Sequence, residues 1–173
     1  MQKWFNADLD WKNIYTRNTS LTKNVYLLHV NFKLIHNILP TNDKLFMWKR
    51  ADRPHCICGI VDTNLHFSVQ CKLIKPFWDK IKNFIKSVLD IEIPFSEQDI
   101  FFGIPNPFDI PEIDIISYVF LVAKTFIWSD KRLGRPCTMH DFIPYLREQV
   151  LIETSTKLFK VKPFIVQLSE RLF

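Results

Sequence analysis

The chain has 173 residues, enough for one domain with a full hydrophobic core. Its apolar share of 47% and charged share of 24% are close to ordinary globular usage, which excludes a wholly disordered protein. Only three glycines accompany sixteen phenylalanines, and glycine supplies the tight turns of β-hairpins. The composition therefore favours an all-α fold.

The net charge of +5 is unevenly distributed along the chain. Residues 1–89 carry 14 Lys and Arg against 6 Asp and Glu, whereas residues 90–173 carry 9 against 12, so the halves are about +8 and −3. A basic half beside an acidic half is typical of a protein that binds a polyanion with one face. A second explanation is that the lysines only keep the surface soluble, and on charge alone this explanation ranks first.

The sequence contains no signal for a membrane or for secretion. Met1–Trp11 has no uninterrupted apolar stretch, and the longest apolar run, Ile115–Ala123, is far shorter than the roughly 20 residues that cross a bilayer. We therefore expect an intracellular protein with no membrane partner. Cysteines stay reduced in such a compartment, so the four cysteines favour metal binding over disulfides.

Apolar periodicity predicts the first helices. After an N-terminal lead-in over residues 1–20, apolar residues at steps of three and four predict a helix over Leu21–Leu39, with Ser20 or Thr22 as its cap and Pro40 at its end. A short helix over Asp43–Arg50 follows.

The cysteine segment comes next and is predicted as a loop with a tight turn at Gly59. After Cys71, a regular apolar stripe predicts a helix of about five turns. The stripe consists of Ile74, Phe77, Trp78, Ile81, Phe84, Ile85 and Val88. Residues 21–89 therefore form a first unit of helices with an inserted metal-binding loop.

The second half begins with an acidic, proline-rich connector over residues 90–112, with at most a short helical turn near Glu97–Phe101. Ile113–Trp128 is apolar nearly all round, which predicts the most buried helix. A last helix runs from about Met139 to Leu158, and Pro144 leaves a later start open. We expect residues 113–173 to pack on the first unit, giving an irregular all-α domain of about five helices.

One motif carries metal chemistry. Cys56, Cys58, His66 and Cys71 form a C-x-C-x7-H-x4-C pattern within sixteen residues, and such donors can converge on one tetrahedral Zn²⁺. The single residue between the first two cysteines is tighter than usual, and either His55 or Cys56 is the first ligand; we favour Cys56 because a thiolate is the better structural donor. The alternative is that these residues are unligated core side chains. A closed set of four ligands predicts a structural metal, not a catalytic one.

Several segments then match a known family in the same order. They are Lys33 to Thr41 (KLIHNILPT) followed by Lys44 and Leu45, the metal motif with Trp78 seven residues beyond it, and Val122 to Trp128 (VAKTFIW) followed by Arg132 to Pro136 (RLGRP). Over about residues 21–155 the chain resembles the carboxy-terminal region of LINE-type (non-LTR) retrotransposon reverse transcriptases, including the reverse transcriptase zinc-binding domain. The short C-x-C is a departure from that family's motif.

The resemblance implies a role in holding RNA or DNA during target-primed reverse transcription. No carboxylate pair of a polymerase palm and no endonuclease motif occurs in the sequence, so we expect no polymerase or endonuclease activity and no enzyme. The candidates for phosphate contacts are Lys49, Arg50, Arg53, Lys72, Lys75, Lys82, Lys86, Arg132 and Arg135. For each of them a solvated surface charge is the alternative.

Three further alternatives stay open. Trp48 and Trp78 would stack on bases or, as we prefer, pack in the core. The chain would otherwise be a docking module for the remainder of a retrotransposon polyprotein, with exposed aromatic side chains marking the missing partner. A thiol enzyme would depend on Cys137 and His140, for which the sequence offers no orienting third group.

Overall fold

The computed structural model describes residues 9–91, 94–106, 110–155 and 163–172. Its α-helices are α1 Trp11–Leu21, α2 Val25–Ile35, α3 Asn42–Met47, α4 Lys75–Leu89, α5 Glu97–Phe102, α6 Pro111–Leu133, α7 Met139–Ser155 and α8 Pro163–Leu172, with a π-helix over His66–Gln70. These ranges hold no β-strand, only an isolated bridge between His55 and Val61. The all-α prediction is confirmed, although α1 and α8 were not predicted. No helix in the described ranges has the length and hydropathy of a membrane span.

Helix α6 lies at the centre of the fold. Fifteen of its residues are buried, and it contacts α1, α2, α5, α7, α8 and the π-helix. It is the most buried of the described helices, as predicted, and it extends beyond the predicted Ile113–Trp128 at both ends. Pro111 begins it, and Gly134 at φ +64° ends it, because a left-handed residue cannot continue a helix.

The predicted boundaries of α2 and α3 were wrong. Helix α2 begins at Val25 because the Asn24 side chain accepts the N–H groups of Tyr26 and Leu27 at 3.0 and 3.4 Å. It ends at Ile35, well before Pro40, and the left-handed Asn37 follows. Helix α3 ends at Met47 and is likewise followed by a left-handed residue, Lys49. A polar cap at Asn24 therefore sets the start of α2, and left-handed residues follow the ends of both helices, features which the apolar periodicity does not reveal.

The apolar stripe after Cys71 is confirmed, but its helix is shorter than predicted. The extended backbone of Cys71 ends the π-helix, a turn over residues 72–74 follows, and helix α4 begins at Lys75 with Pro76 in its first turn. Phe77 packs edge-on against Phe142 of α7 with ring centroids 5.5 Å apart, and Trp78 packs edge-on against Phe120 of α6 at 5.8 Å. These rings join α4 to the central helix.

The second half follows its predicted order. The short helical turn predicted near Glu97–Phe101, within the acidic connector, is α5, which has a capping box between Ser96 and Asp99. Helix α7 begins at Met139, ahead of Pro144, because the Thr138 hydroxyl accepts the N–H of Asp141 at 3.2 Å and donates to its carboxylate at 2.7 Å. The later start that Pro144 left open is therefore wrong, and the predicted end at Leu158 lies outside the described residues.

Candidate metal centre

The four predicted donors meet at one point. One ligand atom each from Cys56, Cys58, His66 and Cys71 lies within 4.8 Å of all the others. The Sγ atoms of Cys56 and Cys71 are 3.8 Å apart, and Cys58 Sγ lies 3.1 Å from His66 Nε2. Zinc–sulfur bonds of about 2.3 Å in a tetrahedron place neighbouring sulfurs about 3.8 Å apart. The cluster therefore has a size that can hold a metal ion.

The geometry favours Cys56 over His55 as the first donor. His55 is exposed, is not part of the cluster and pairs with Val61 in the isolated bridge. Its carbonyl accepts a hydrogen bond from the Asn42 side chain at 3.1 Å. Neighbouring side chains in extended backbone point to opposite sides, so Cys56 can face the cluster only if His55 points away from it.

A tight turn brings the first two thiols together. The N–H of Gly59 donates to the Cys56 carbonyl at 2.9 Å, and the N–H of Cys56 donates to the Ile60 carbonyl at 2.8 Å. Gly59 has a φ of +94°, which residues with a side chain rarely adopt. The predicted turn at Gly59 is confirmed, and it explains how a spacing of one residue places Cys56 and Cys58 at one site.

The second pair of donors is held by the π-helix, where the sequence predicted a loop. The N–H of Cys71 donates to the carbonyl of His66 at 2.7 Å, five residues earlier. The N–H of His66 donates to the Thr63 hydroxyl at 3.1 Å. The wider π-type turn gives His66 and Cys71 their common position, and such turns are frequent at functional sites.

Polar contacts fasten this loop to the helical core. The Trp78 indole donates to the Ser68 carbonyl at 2.8 Å. Lys131 of α6 lies 2.7 Å from the Asp62 carboxylate, which is fully buried, and its ammonium lies 5.3 Å from the centre of the Phe67 ring. The loop is therefore attached to both α4 and α6.

Burial affects the protonation of two of the donors, Cys71 and His66. It raises the pKa of the Cys71 thiol to about 11 and lowers the pKa of His66, which keeps the imidazole neutral, the form that binds metals. A hydrogen bond to the backbone at Ile60 lowers the pKa of Cys58. A bound cation would favour deprotonation of Cys71, since thiolates are the ligands.

Most of the predicted phosphate contacts are accessible. Eight of the nine candidate residues are exposed and Lys82 is half-buried. Arg135 lies 2.8 Å from the buried Asp130 carboxylate, and Lys75 lies 3.9 Å from Glu97. Lys72 is close enough to the cluster to lower the pKa of Cys58. In the chain, the basic residues therefore lie before and after the donor cluster, along α4 and at the C-terminal end of α6.

The two candidate tryptophans differ. Trp78 is 3% exposed, so its predicted core packing is confirmed. Trp48 is 52% exposed beside the exposed Phe46 and Met47, so the preferred core packing is wrong for this residue. The reason is that α3 ends at Met47 and the chain turns away at the left-handed Lys49, which leaves Trp48 outside the core.

Cys137 and His140, the two candidates for a thiol enzyme, lie outside the cluster. Burial raises the pKa of Cys137 to about 12, which disfavours it as a nucleophile, and His140 is an exposed neighbour of Asp141.

Lys124 of α6 is fully buried, its ammonium nitrogen donates to the Phe101 carbonyl at 2.7 Å, and burial lowers its pKa to about 7. The apolar surroundings of Lys124 in the sequence were the only signal for this burial.

Comparisons of the sequence with models of known protein families and with curated proteins found no match.

Proposed function

We propose that the chain is a zinc-stabilised helical module that binds nucleic acid, related to the carboxy-terminal region of non-LTR retrotransposon reverse transcriptases, and that it has no polymerase or endonuclease activity of its own. The observation that carries the proposal is the convergence of Cys56, Cys58, His66 and Cys71 within 4.8 Å. Three thiols with one imidazole are a donor set that suits zinc.

The proposed role of the metal is structural. Four protein donors fill a tetrahedron and leave no position for a reacting water. When bound, zinc supplies a cross-link between the Gly59 turn and the π-helix. Two hydrogen bonds hold the loop against the helices. Trp78 of α4 donates to Ser68, and Lys131 of α6 donates to Asp62.

Exposed basic residues on both sides of the loop are proposed to contact phosphates. Lys49, Arg50 and Arg53 precede the first cysteine, and Lys72 and Lys75 follow the last one. Each contact between Lys or Arg and a phosphate releases counterions, so binding weakens steeply with salt and is largely independent of sequence.

Metal content tests the first half of the proposal. The purified chain should contain one equivalent of zinc, and Cys58→Ser, Cys71→Ser and His66→Ala should each lose it. Cys56→Ser should lose zinc, whereas His55→Ala should keep it. Cys137→Ser is the matched control, because Cys137 lies outside the cluster. Full zinc retention by Cys71→Ser would contradict the proposed site.

A salt titration of RNA and DNA binding tests the second half. The slope of log K against log salt should be about −0.7 to −0.9 for each phosphate contacted. Replacing Lys49, Arg50 and Arg53 together by Gln should make the slope shallower by about two units. Lys12→Gln, an exposed change on α1, should leave it unaltered.

A second candidate function is docking to the remainder of a polyprotein. It is favoured by the exposed apolar side chains of Phe46, Met47 and Trp48 and, on the metal loop, of Ile57 and Ile60. Exposed apolar patches of this kind mark protein interfaces. A salt slope near zero, with no measurable nucleic-acid binding, would favour docking over the first proposal.

A further inference from the structure

A groove of about 390 Å³ lies outside the metal centre, between α2 and the C-terminal part of α6. Tyr26 and Lys33 line it from α2, and Trp128 and Arg132 line it from α6. Leu39, in the turn before α3, also contributes to its lining. Its volume is within the range of about 300–1,000 Å³ that is usual for small-ligand sites.

The groove combines apolar side chains with an accessible aromatic ring. Leu39 and Trp128 are buried and contribute apolar lining. Tyr26 is 46% exposed, so part of its ring is open to a ligand. An accessible aromatic ring beside an apolar surface suits a planar group, because bases stack on aromatic side chains.

The charges of the groove are all of one sign. Lys33 and Arg132 line it, and no Asp or Glu does. Within the described ranges neither cation forms an ion pair. An apolar groove with two available cations and no acid complements a ligand that is both planar and anionic. A nucleotide has both properties.

We propose that this groove receives one unstacked nucleotide of a single-stranded nucleic acid, with its base against Tyr26 and the apolar lining and its phosphates on Lys33 and Arg132. The inference rests on the proposed nucleic-acid function and narrows its substrate class. Bases in a duplex are paired and stacked, so a site of this shape takes a base only from a single strand, a loop or a bulge.

The test compares single-stranded and duplex oligonucleotides of equal length and mixed sequence, using fluorescence anisotropy with the zinc-loaded full chain. Tyr26→Ala should weaken single-strand binding about tenfold, because the base loses the aromatic ring on which it stacks. Duplex binding and the salt slope should stay the same. Lys33→Gln combined with Arg132→Gln should weaken single-strand binding and make its salt slope shallower by about one to two units.

Phe32→Ala is the matched control, since Phe32 is an exposed aromatic residue of the same helix and does not line the groove. It should bind the single strand as the unaltered chain does, and circular dichroism should be the same for both aromatic variants. Equal losses for Tyr26→Ala and Phe32→Ala, or equal losses on single strand and duplex, would overturn the inference.

The outcomes separate this inference from the function beneath it. If the unaltered chain binds neither oligonucleotide, the proposed function fails and the inference fails with it. If the unaltered chain binds and Tyr26→Ala binds just as well, only the groove assignment is overturned. Binding of a polyglutamate peptide that Tyr26→Ala weakens, with single-strand binding unchanged, would assign the groove to an acidic peptide and overturn the nucleotide.

Discussion

Helix α6 and the segment from Cys56 to Cys71 are stabilised in different ways. Helix α6 buries fifteen residues among its neighbours. The cysteine segment instead has Ile57 and Ile60 exposed at 83% and 58%, and its two ends approach each other through four sulfur and imidazole donors. Burial of apolar area stabilises the first region throughout, whereas in the second it is provided by Leu65, Phe67 and Val69, and the exposed turn at Gly59 depends on the proposed metal and a few polar contacts.

The difference teaches that one chain contains two kinds of stability. Burial in α6 depends on packing and does not respond to a chelator. The thiol donors of the loop must lose their protons and bind a common cation before they can link the loop together. That region therefore responds to metal and pH. Conditions and substitutions that act on only one kind of stability separate the two regions.

Metal removal should have the largest effect. A chelator should lower the free energy of unfolding by on the order of 5 kcal/mol, because the metal links the exposed turn at Gly59 to the buried π-helix. Hydrogen exchange should accelerate over residues 56–71 and stay slow in α6. Denaturation with and without chelator measures this effect, and Cys58→Ser should be insensitive to the chelator. Superimposable unfolding curves for the unaltered chain would contradict the comparison.

A large-to-small change in the core should come next. Phe126→Ala removes a buried ring that lies 5.5 Å from Phe142 and 5.9 Å from Phe77, which should cost about 3–5 kcal/mol. The loss should be the same with and without chelator, and zinc content should be unchanged. The exposed Phe32→Ala should cost less than about 1 kcal/mol. A chelator-dependent cost for Phe126→Ala would mean that the two regions are coupled.

Replacing the buried lysine of α6 should have the smallest effect and the opposite sign. The pKa of Lys124 is lowered from 10.5 to about 7 in the folded chain, so between these pH values the unfolded chain binds more protons. The stability of the unaltered chain should therefore rise as pH increases from about 7 to 10.5.

Lys124→Met should reduce this rise and stabilise the chain at pH 7 by about 2 kcal/mol. This value is the recovered ionisation cost, at 1.36 kcal/mol per pKa unit, less the lost hydrogen bond to Phe101. Urea denaturation across this pH range measures both effects, and Lys80→Met is the exposed control. An unchanged pH dependence in Lys124→Met would show that Lys124 stays charged in the fold.

Much of the helical core could be predicted from the sequence. The stripe of α4 and the all-round apolar pattern of α6 follow from helical periodicity, which local sequence carries directly. The ends of the helices were harder to predict from the sequence. Asn24 caps α2 in place of Ser20 or Thr22, since Ser20 lies within α1 and Thr22 is the C-cap of α1. Helix α1 itself was missed because its apolar pattern is weak and its packing on α6 stabilises it.

The candidate site was predictable in composition and not in shape. The spacing of Cys58, His66 and Cys71 indicated a metal site, because few other reasons bring thiols and an imidazole so close along a chain. The π-helix was predicted as a loop, because tertiary contacts such as the hydrogen bond from the Trp78 indole hold that segment in place and the local sequence does not reveal them. Trp48 and Trp78 both lie in helical register, and only the course of the chain after α3 separates the exposed ring from the buried one.

By itself the sequence determined the fold class, the buried central helix and the residue types of the metal cluster, because periodicity and motif spacing are local properties of the chain. The tertiary structure alone decided that Cys56 and not His55 joins the cluster, that Lys124 is buried and that Tyr26, Lys33 and Arg132 share one groove. Each of these facts depends on contacts between segments that are distant in the sequence. Such contacts are determined by the packing free energy of the whole chain and cannot be inferred from local sequence.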